Sequence, residues 1–313
     1  MHTFVDCFSG AGGITCGFQM TERWKSRCGF DFEKTATDTY AHNFQVPARC
    51  CDLSDADTQK AIVDEFGGSV DALVGGPPCQ GFSRRNGKRF TEKYDDMKKL
   101  PFAFVDIGLR LGVNVIVMEE VPQAASQVLP DIVARLNAEG FVCVWRILNA
   151  VEYRVPQNRR RLIMVATRNG WTFEWPEVSR ERVSMRVAFK AADAPHGAVV
   201  SDYCRQRIET VRDSQQRLIG GNYAIMDLDS PSPTVHTKSI PGAGPYAIER
   251  DGVFHSLGVS EAATLQSFPS SFEFIAAETK QRKLIGNSVP PLLAKAIASG
   301  LIPPAHCRRK PAW

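Results

Sequence analysis

The first 150 residues set short apolar runs against amphipathic stretches in regular alternation, and this period restricts the fold more than any other feature of the chain. Runs at 3–8, 26–32, 48–53, 70–74, 113–118, 141–148 and 162–166 have the length and composition of buried strands. Between them, 33–44, 56–66, 100–111 and 124–138 carry apolar residues at helical spacing. Strands alternating with helices predict an α/β fold, a Rossmann-like doubly wound parallel sheet with helices on both faces. Such a sheet carries its chemistry in the loops at the carboxyl ends of its strands.

From about residue 170 the period fails. Residues 171–252 lack long periodic segments and include Pro-, Ser- and Gly-rich stretches, SPSPTV at 230–235 and IPGAGP at 240–245. They predict a smaller domain of irregular or short-stranded structure. A short helix is expected at 260–266, and 286–302 reads as a turn leading into an apolar helix that returns to the first domain. The predicted division is 1–169 together with 272–313 in one domain, and 170–271 in the other.

Composition removes several classes. No run of eighteen apolar residues exists, so no membrane span is expected, and the absence of a basic-then-apolar leader predicts a cytoplasmic protein. The nine cysteines form no Cys-x-x-Cys pair and read as reduced thiols. The six histidines form no ligand cluster, so no metal is expected. Net charge is +4, too mild to name a partner, but 84–99 and 158–168 concentrate Lys and Arg as phosphate contacts require.

Two places carry chemistry. At the first, the strand ending in Asp6-Cys7-Phe8 runs into Ser9-Gly10-Ala11-Gly12-Gly13, where glycines allow positive φ and close approach to a ligand. Asp31, about twenty residues on, stands where an acid can accept hydrogen bonds from ribose hydroxyls, and Phe32 beside it can stack on a purine. Asp52 and Leu53 offer an acceptor and an apolar wall; helix capping is the competing reading for both aspartates. At the second place, Gly75-Gly76-Pro77-Pro78-Cys79 presents a cysteine in a proline-fixed loop beyond a strand, a candidate nucleophile. Glu119 ends another buried strand and can serve as acid or hydrogen-bond partner. In Gln157-Asn158-Arg159-Arg160-Arg161, alternation along an extended segment predicts that Arg159 and Arg161 point together at an anion.

These stretches, FSGAGG at 8–13, PPCQGFS at 77–83, QNRRR at 157–161, LQSFP at 265–269 and GNSVP at 286–290, resemble the DNA cytosine-C5 methyltransferase family of prokaryotic or phage restriction-modification type. They stand in that family's order across nearly the whole chain. The resemblance implies methyl transfer from S-adenosylmethionine to C5 of a cytosine flipped out of double-stranded DNA. It gives Cys79 the attack on C6, Glu119 the N3 edge of the base, and Arg159 and Arg161 places near the base and its phosphate. A flipped base is required because Cys79 cannot reach C6 inside the stack.

By the same resemblance Phe8, Gly10, Gly12, Asp31, Phe32, Asp52, Leu53, Pro78, Leu100, Asn287 and Ser288 line the cofactor pocket. Ser83, Arg84, Arg85, Lys88, Arg89 and Thr234 become DNA contacts, and 170–271 becomes the target-recognition domain and hinge. The protein is then expected to act as a monomer, alone or beside a separately encoded restriction nuclease.

The chain departs from the family pattern at Glu120, where asparagine is usual, and at His255-Ser256-Leu257-Gly258, where Arg-x-Leu-Thr is frequent. Glu120 suggests a catalytic loop conditional on protonation. Two other readings share the motifs. One is a tRNA cytosine-C5 methyltransferase, a branch that tends to carry threonine at the position of Ser83. The other is a methyltransferase-like DNA-binding protein with weak or no turnover.

Overall fold

The computed structural model describes residues 1–78, 99–201, 205, 224–237 and 246–305. In chain order its first elements are β1 (His2–Cys7), α1 (Gly13–Gln19), β2 (Trp24–Asp31), α2 (Lys34–Phe44), β3 (Ala48–Cys50), α3 (Ala56–Phe66) and β4 (Ala72–Gly75). They are followed by α4 (Leu100–Leu111), β5 (Val115–Glu120), α5 (Leu129–Ala138), β6 (Val142–Asn149), β7 (Arg160–Thr167) and β8 (Thr172–Phe173). Strands β1 to β7 form one sheet in the order β3-β2-β1-β4-β5-β7-β6.

Neighbours from β3 to β5 run parallel, as the alternating pattern predicts. The sheet is the predicted Rossmann-like one, dominated by parallel strands, with β7 as an exception that runs antiparallel to β5. Only residues 150–159 join β6 to β7, and a parallel return needs a crossover of a dozen or more. The helix expected over 124–138 is also shorter. A 3-10 turn occupies Pro122–Ser126, and α5 begins at Leu129, with Pro130 in its first turn, where no N–H is needed.

The central strands β1, β4, β5 and β7 are buried on both faces, while the edge strand β6 is largely exposed. Val5, Phe30, Leu73, Ile116 and Met164 are fully covered and share one core with Phe104 and Ile107 of α4. The strand order reverses between β1 and β4, which puts a crevice outside their carboxyl ends. There Cys7 pairs with Gly75 and Gly75 with Met118. A Cβ on Gly75 would lie 2.0 Å from the Cys7 carbonyl oxygen, so only glycine lets β1 and β4 close at this point.

The chain divides into two compact units, residues 1–148, 160–177 and 293–313 in one, and 149–159 and 178–292 in the other. The second contains α6 (Met185–Ala192), β9 (Ala224–Met226), β10 (Tyr246–Arg250), β11 (Val253–Ser256), α7 (Val259–Leu265) and α8 (Glu278–Asn287). Its three short strands form a sheet in the order β11-β10-β9. Glu261, fully buried, pairs with Arg250 and accepts the Gly258 N–H at 2.8 Å and the Gly197 N–H at 3.2 Å.

The return to the first unit comes at Leu293, inside α9 (Pro291–Gly300), rather than at the predicted residue 272. The segment in question stays with the second unit through hydrogen bonds. Arg282 Nη1 donates to the Leu257 carbonyl at 2.7 Å and Gln266 Nε2 to the Ile285 carbonyl at 2.6 Å. Past α9, β12 (Leu301–Ile302) pairs antiparallel with β8, and Arg23 donates to the carbonyls of Ser299 and Leu301. The six cysteines among the described residues are free thiols. No helix of the described residues is long and apolar enough to cross a membrane.

Candidate active site

The glycine turn leaves β1 through left-handed backbone at Phe8 (φ 59°), Gly10 (φ 54°) and Gly12 (φ 93°). A Cβ on Gly12 would stand 2.2 Å from the Phe44 ring and 2.9 Å from Tyr40, so the helix α2 packs where that side chain would be. At Gly10 a Cβ would meet nothing within 4 Å, which leaves this face of the turn open. Asp31, the last residue of β2, anchors the turn: Oδ2 accepts the Gly10 N–H and Oδ1 the Glu33 N–H, each at 2.8 Å. Phe32 projects its ring at 77% exposure beside it.

Neither aspartate caps a helix. The cap of α3 is Asp55, whose side chain accepts the Thr58 N–H, whereas Asp52 Oδ1 accepts from the N–H and hydroxyl of Ser54. Leu53 is buried in the core with Ile62 and Phe66. Phe8 packs on Phe104, ring centroids 6.5 Å apart, and Pro78 and Leu100 are half-buried.

Sequence reasoning missed a polar chain beneath the turn. The Thr15 hydroxyl donates to Asp6 Oδ2 at 2.7 Å and meets Tyr40 Oη at 2.7 Å, and Tyr40 Oη lies 2.6 Å from the Ser26 hydroxyl. All four residues are buried, and burial pushes the Asp6 carboxyl up to about 8. The available signal was Asp6 itself, an acid inside an otherwise apolar strand.

At the reactive end, β4 passes into Gly76-Pro77-Pro78. Cys79 lies outside the described residues, as do Ser83, Arg84, Arg85, Lys88 and Arg89. Glu119, near the end of β5, overlooks this exit: a Cβ on Gly76 would stand 3.1 Å from its Oε2. Arg161 on β7 holds the same carboxylate from the other side, Nε to Oε1 2.8 Å, with both side chains mostly covered. Among the described residues no N–H is aligned on Oε1, so this pair is a charge contact. Glu120 next to it is 1% exposed, and its Oε2 accepts the Val121 N–H at 2.7 Å. Burial, with the Glu119 charge adding to it, pushes this carboxyl up to about 8.

Arg159, expected with Arg161 at an anion, is engaged by carbonyls of its own unit. It is 1% exposed, and its guanidinium donates to the carbonyls of Val235 (3.3 Å), Gly286 (3.1 Å) and Ser288 (3.0 Å). The strand begins only at Arg160, so the two-residue alternation does not extend back to Arg159. Arg159, Asn287 and Ser288 belong to the second unit, with the other described residues of the glycine turn and reactive end in the first. Asn287 is exposed, while the Ser288 hydroxyl donates to Leu284 O at 2.7 Å. The Thr234 hydroxyl donates to the Asn158 carbonyl at 2.7 Å, which holds it against its own unit.

Comparison with known proteins shows the family to which the chain belongs. A family model described as C-5 cytosine-specific DNA methylase matches residues 2–302. The chain is 32% identical to the type II methyltransferase M.AplI of Arthrospira platensis over 95% of its length and 84% of that protein. It is 28% identical to the type II methyltransferase M.HgiDI of Herpetosiphon aurantiacus, covering 95% of this chain and 93% of that one. Among solved structures, the Entamoeba histolytica methyltransferase EhMeth superposes with a TM-score of 0.73 at 16% identity, over 95% of this chain and 96% of the other, a likeness of fold.

Proposed function

Because this chain belongs to the C-5 cytosine-specific DNA methylase family, we propose that it methylates C5 of a flipped-out cytosine within a specific duplex DNA sequence, through a covalent Cys79–C6 adduct. The observation that carries this reading is the Glu119–Arg161 pair poised beside Gly76, three residues before Cys79 in the chain. A carboxyl held there, once it carries a proton, can donate it to N3 of cytosine and so draw electron density from C6.

The Cys79 thiolate then adds to C6, and the C5=C6 electron pair becomes nucleophilic at C5. S-adenosylmethionine, when bound, supplies the methyl group as an electrophile. After transfer, loss of the C5 proton to a base re-forms the double bond and expels the Cys79 thiolate. Arg161 keeps Glu119 in place and offsets its charge.

The residues of the glycine turn fit this cofactor. Asp31 offers acceptors to ribose hydroxyls, exposed Phe32 a stacking face, and the open side of Gly10 leaves room for close approach. Asn287 and Ser288 are assigned to the same ligand. Ser83, Arg84, Arg85, Lys88, Arg89 and Thr234 are assigned to DNA, with 170–271 as recognition domain and hinge. We further assign the protein to the cytoplasm as a monomer, acting alone or beside a separately encoded restriction nuclease.

Duplex DNA carrying 5-fluorocytosine, incubated with the protein and S-adenosylmethionine, tests the reading. The fluorine cannot leave as a proton does, so a covalent complex is expected with the native chain and none with Cys79→Ala. A complex that still forms with Cys79→Ala would remove Cys79 from the role. Total tRNA assayed in parallel separates the RNA alternative, and bisulfite sequencing of host DNA reads out the target sequence.

A further inference from the structure

Three of the sequence motifs, QNRRR, LQSFP and GNSVP, meet the 234–235 segment in one buried polar knot inside the second unit. Gln157 Nε2 donates to the Leu265 carbonyl at 3.0 Å and to Gln266 Oε1 at 2.9 Å, while Gln157 Oε1 accepts the Val235 N–H at 2.9 Å. Gln266 Nε2 donates in turn to the carbonyls of Ile285 (2.6 Å) and Ser288 (3.1 Å). Arg159 spans the same groups from the other side, through the carbonyls of Val235, Gly286 and Ser288. The backbones it joins are already in tight contact, since a Cβ on Gly286 would lie 2.6 Å from the Thr237 nitrogen. Gln157 and Gln266 are fully buried and Arg159 is 1% exposed.

A guanidinium in this position is not available to a phosphate. Its planar fork of five donors suits several fixed acceptors at once, and a buried cation that lost those acceptors would bear a large desolvation cost. Both ends of the bridge matter: Val235 follows Thr234, which is assigned to DNA, and Ser288 follows Asn287 at the end of α8, both assigned to the cofactor.

We propose that Arg159 is a positioning residue rather than an anion ligand: it locks the 234–235 segment and the 286–288 turn into one rigid piece, so that target recognition and cofactor binding depend on each other. The rigid piece stands on the hydrogen bonds alone; its consequence for the cofactor rests on the proposed methyltransferase reading.

The test uses the full chain with Arg159→Gln and Arg159→Lys, each first checked for a cooperative thermal transition. Amide hydrogen exchange without ligand should rise together at 232–237 and 284–289 in Arg159→Gln, with β4 unchanged. Lysine, which can reach fewer of the three carbonyls, should give a smaller rise and keeps the test valid if the glutamine variant does not fold. S-adenosylmethionine should bind about tenfold more weakly to Arg159→Gln. The dependence of DNA affinity on salt should not change, whereas loss of a phosphate contact lowers the log–log slope by about 0.9. A reduced slope with exchange unaltered would overturn the proposal, and so would a rise confined to one of the two segments. If the native chain binds no S-adenosylmethionine, the cofactor reading fails, and the exchange data still decide whether Arg159 is the lock.

Discussion

Glu119 and Arg161 stand on antiparallel neighbours, β5 and β7, with Oε1 and Nε 2.8 Å apart. Both side chains are mostly covered, at 12% and 16% exposure, so each charge relies on the other more than a surface pair would. The pair makes Glu119 a fixed carboxylate at the mouth of the Gly76-Pro77-Pro78 exit.

Removing the carboxylate should therefore affect chemistry more than binding. Glu119→Gln keeps the shape and is expected to lower kcat by about a hundredfold or more, the usual range for a lost acid–base group. Arg161→Ala should lower kcat as well and also destabilise the fold, because Glu119 is left buried without its counter-charge. Single-turnover methyl transfer with urea unfolding on the same samples checks both. Equal kcat in Glu119→Gln and the native chain would remove Glu119 from the mechanism.

Glu120 predicts a pH dependence of stability. Its carboxyl is held protonated up to about pH 8 in the fold, against an ordinary value of 4.5. Between those values the native state binds a proton that the unfolded chain lacks, so stability falls as pH rises and levels off above about 8. Within that window the slope attributable to Glu120 is roughly 1.4 kcal/mol per pH unit at most. Glu120→Gln removes this slope, so the variant should gain stability over the native chain steadily from pH 5 to pH 8, read by urea midpoints. Asp6 has its own raised value and is common to both proteins, so the difference isolates Glu120.

Activity offers a separate check on Glu120. A loop that depends on its protonation loses kcat above about pH 8, and Glu120→Asn should flatten that limb. An unchanged pH–rate profile would end the idea of a conditional loop.

The chain beneath the glycine turn predicts two losses of different kinds. Tyr40→Phe keeps the ring that packs on Gly12 and Gly29 but removes the hydroxyl joining Thr15 and Ser26, at a cost of about 1–3 kcal/mol for the partners left buried. Gly12→Ala meets the Phe44 ring at 2.2 Å with φ at 93°, so it should cost more and raise KM for S-adenosylmethionine. Thermal unfolding and initial rates against cofactor concentration separate the two.

Asp31→Ala tests the acceptor assigned to ribose. KM for S-adenosylmethionine should rise at least tenfold, with kcat at saturation changed much less, because the carboxylate binds away from the reacting atoms. A variant with native KM and reduced kcat would contradict that place.

Much of this was legible in the residues. Alternating apolar runs identified the strands of the sheet, because burial on both faces leaves an unbroken hydrophobic run. Glycine and proline at 10, 12, 75–78 marked the two functional turns, since their backbone demands are local. The antiparallel β7 was harder to foresee: strand direction depends on which edge the chain returns to, and a short connection was its only local trace. Asp6, Thr15, Tyr40 and Ser26 belong to four separate elements, and no spacing rule links them.

The residues around Glu119 and Arg161 mark the same division. Sequence by itself determined the α/β fold, the two chemical turns and the set of charged groups at the reactive end, because each follows from local periodicity or backbone preference. It also placed Arg159 and Arg161 side by side as candidate contacts, two residues apart in one extended run, with Arg161 expected nearer the base. Only the tertiary structure told them apart: the strand starts at Arg160, Arg161 turns to the Glu119 carboxylate, and Arg159 is buried against three carbonyls. The acceptors that claim Arg159 lie 76 to 129 residues away along the chain, where local spacing carries no information and only packing brings them into reach.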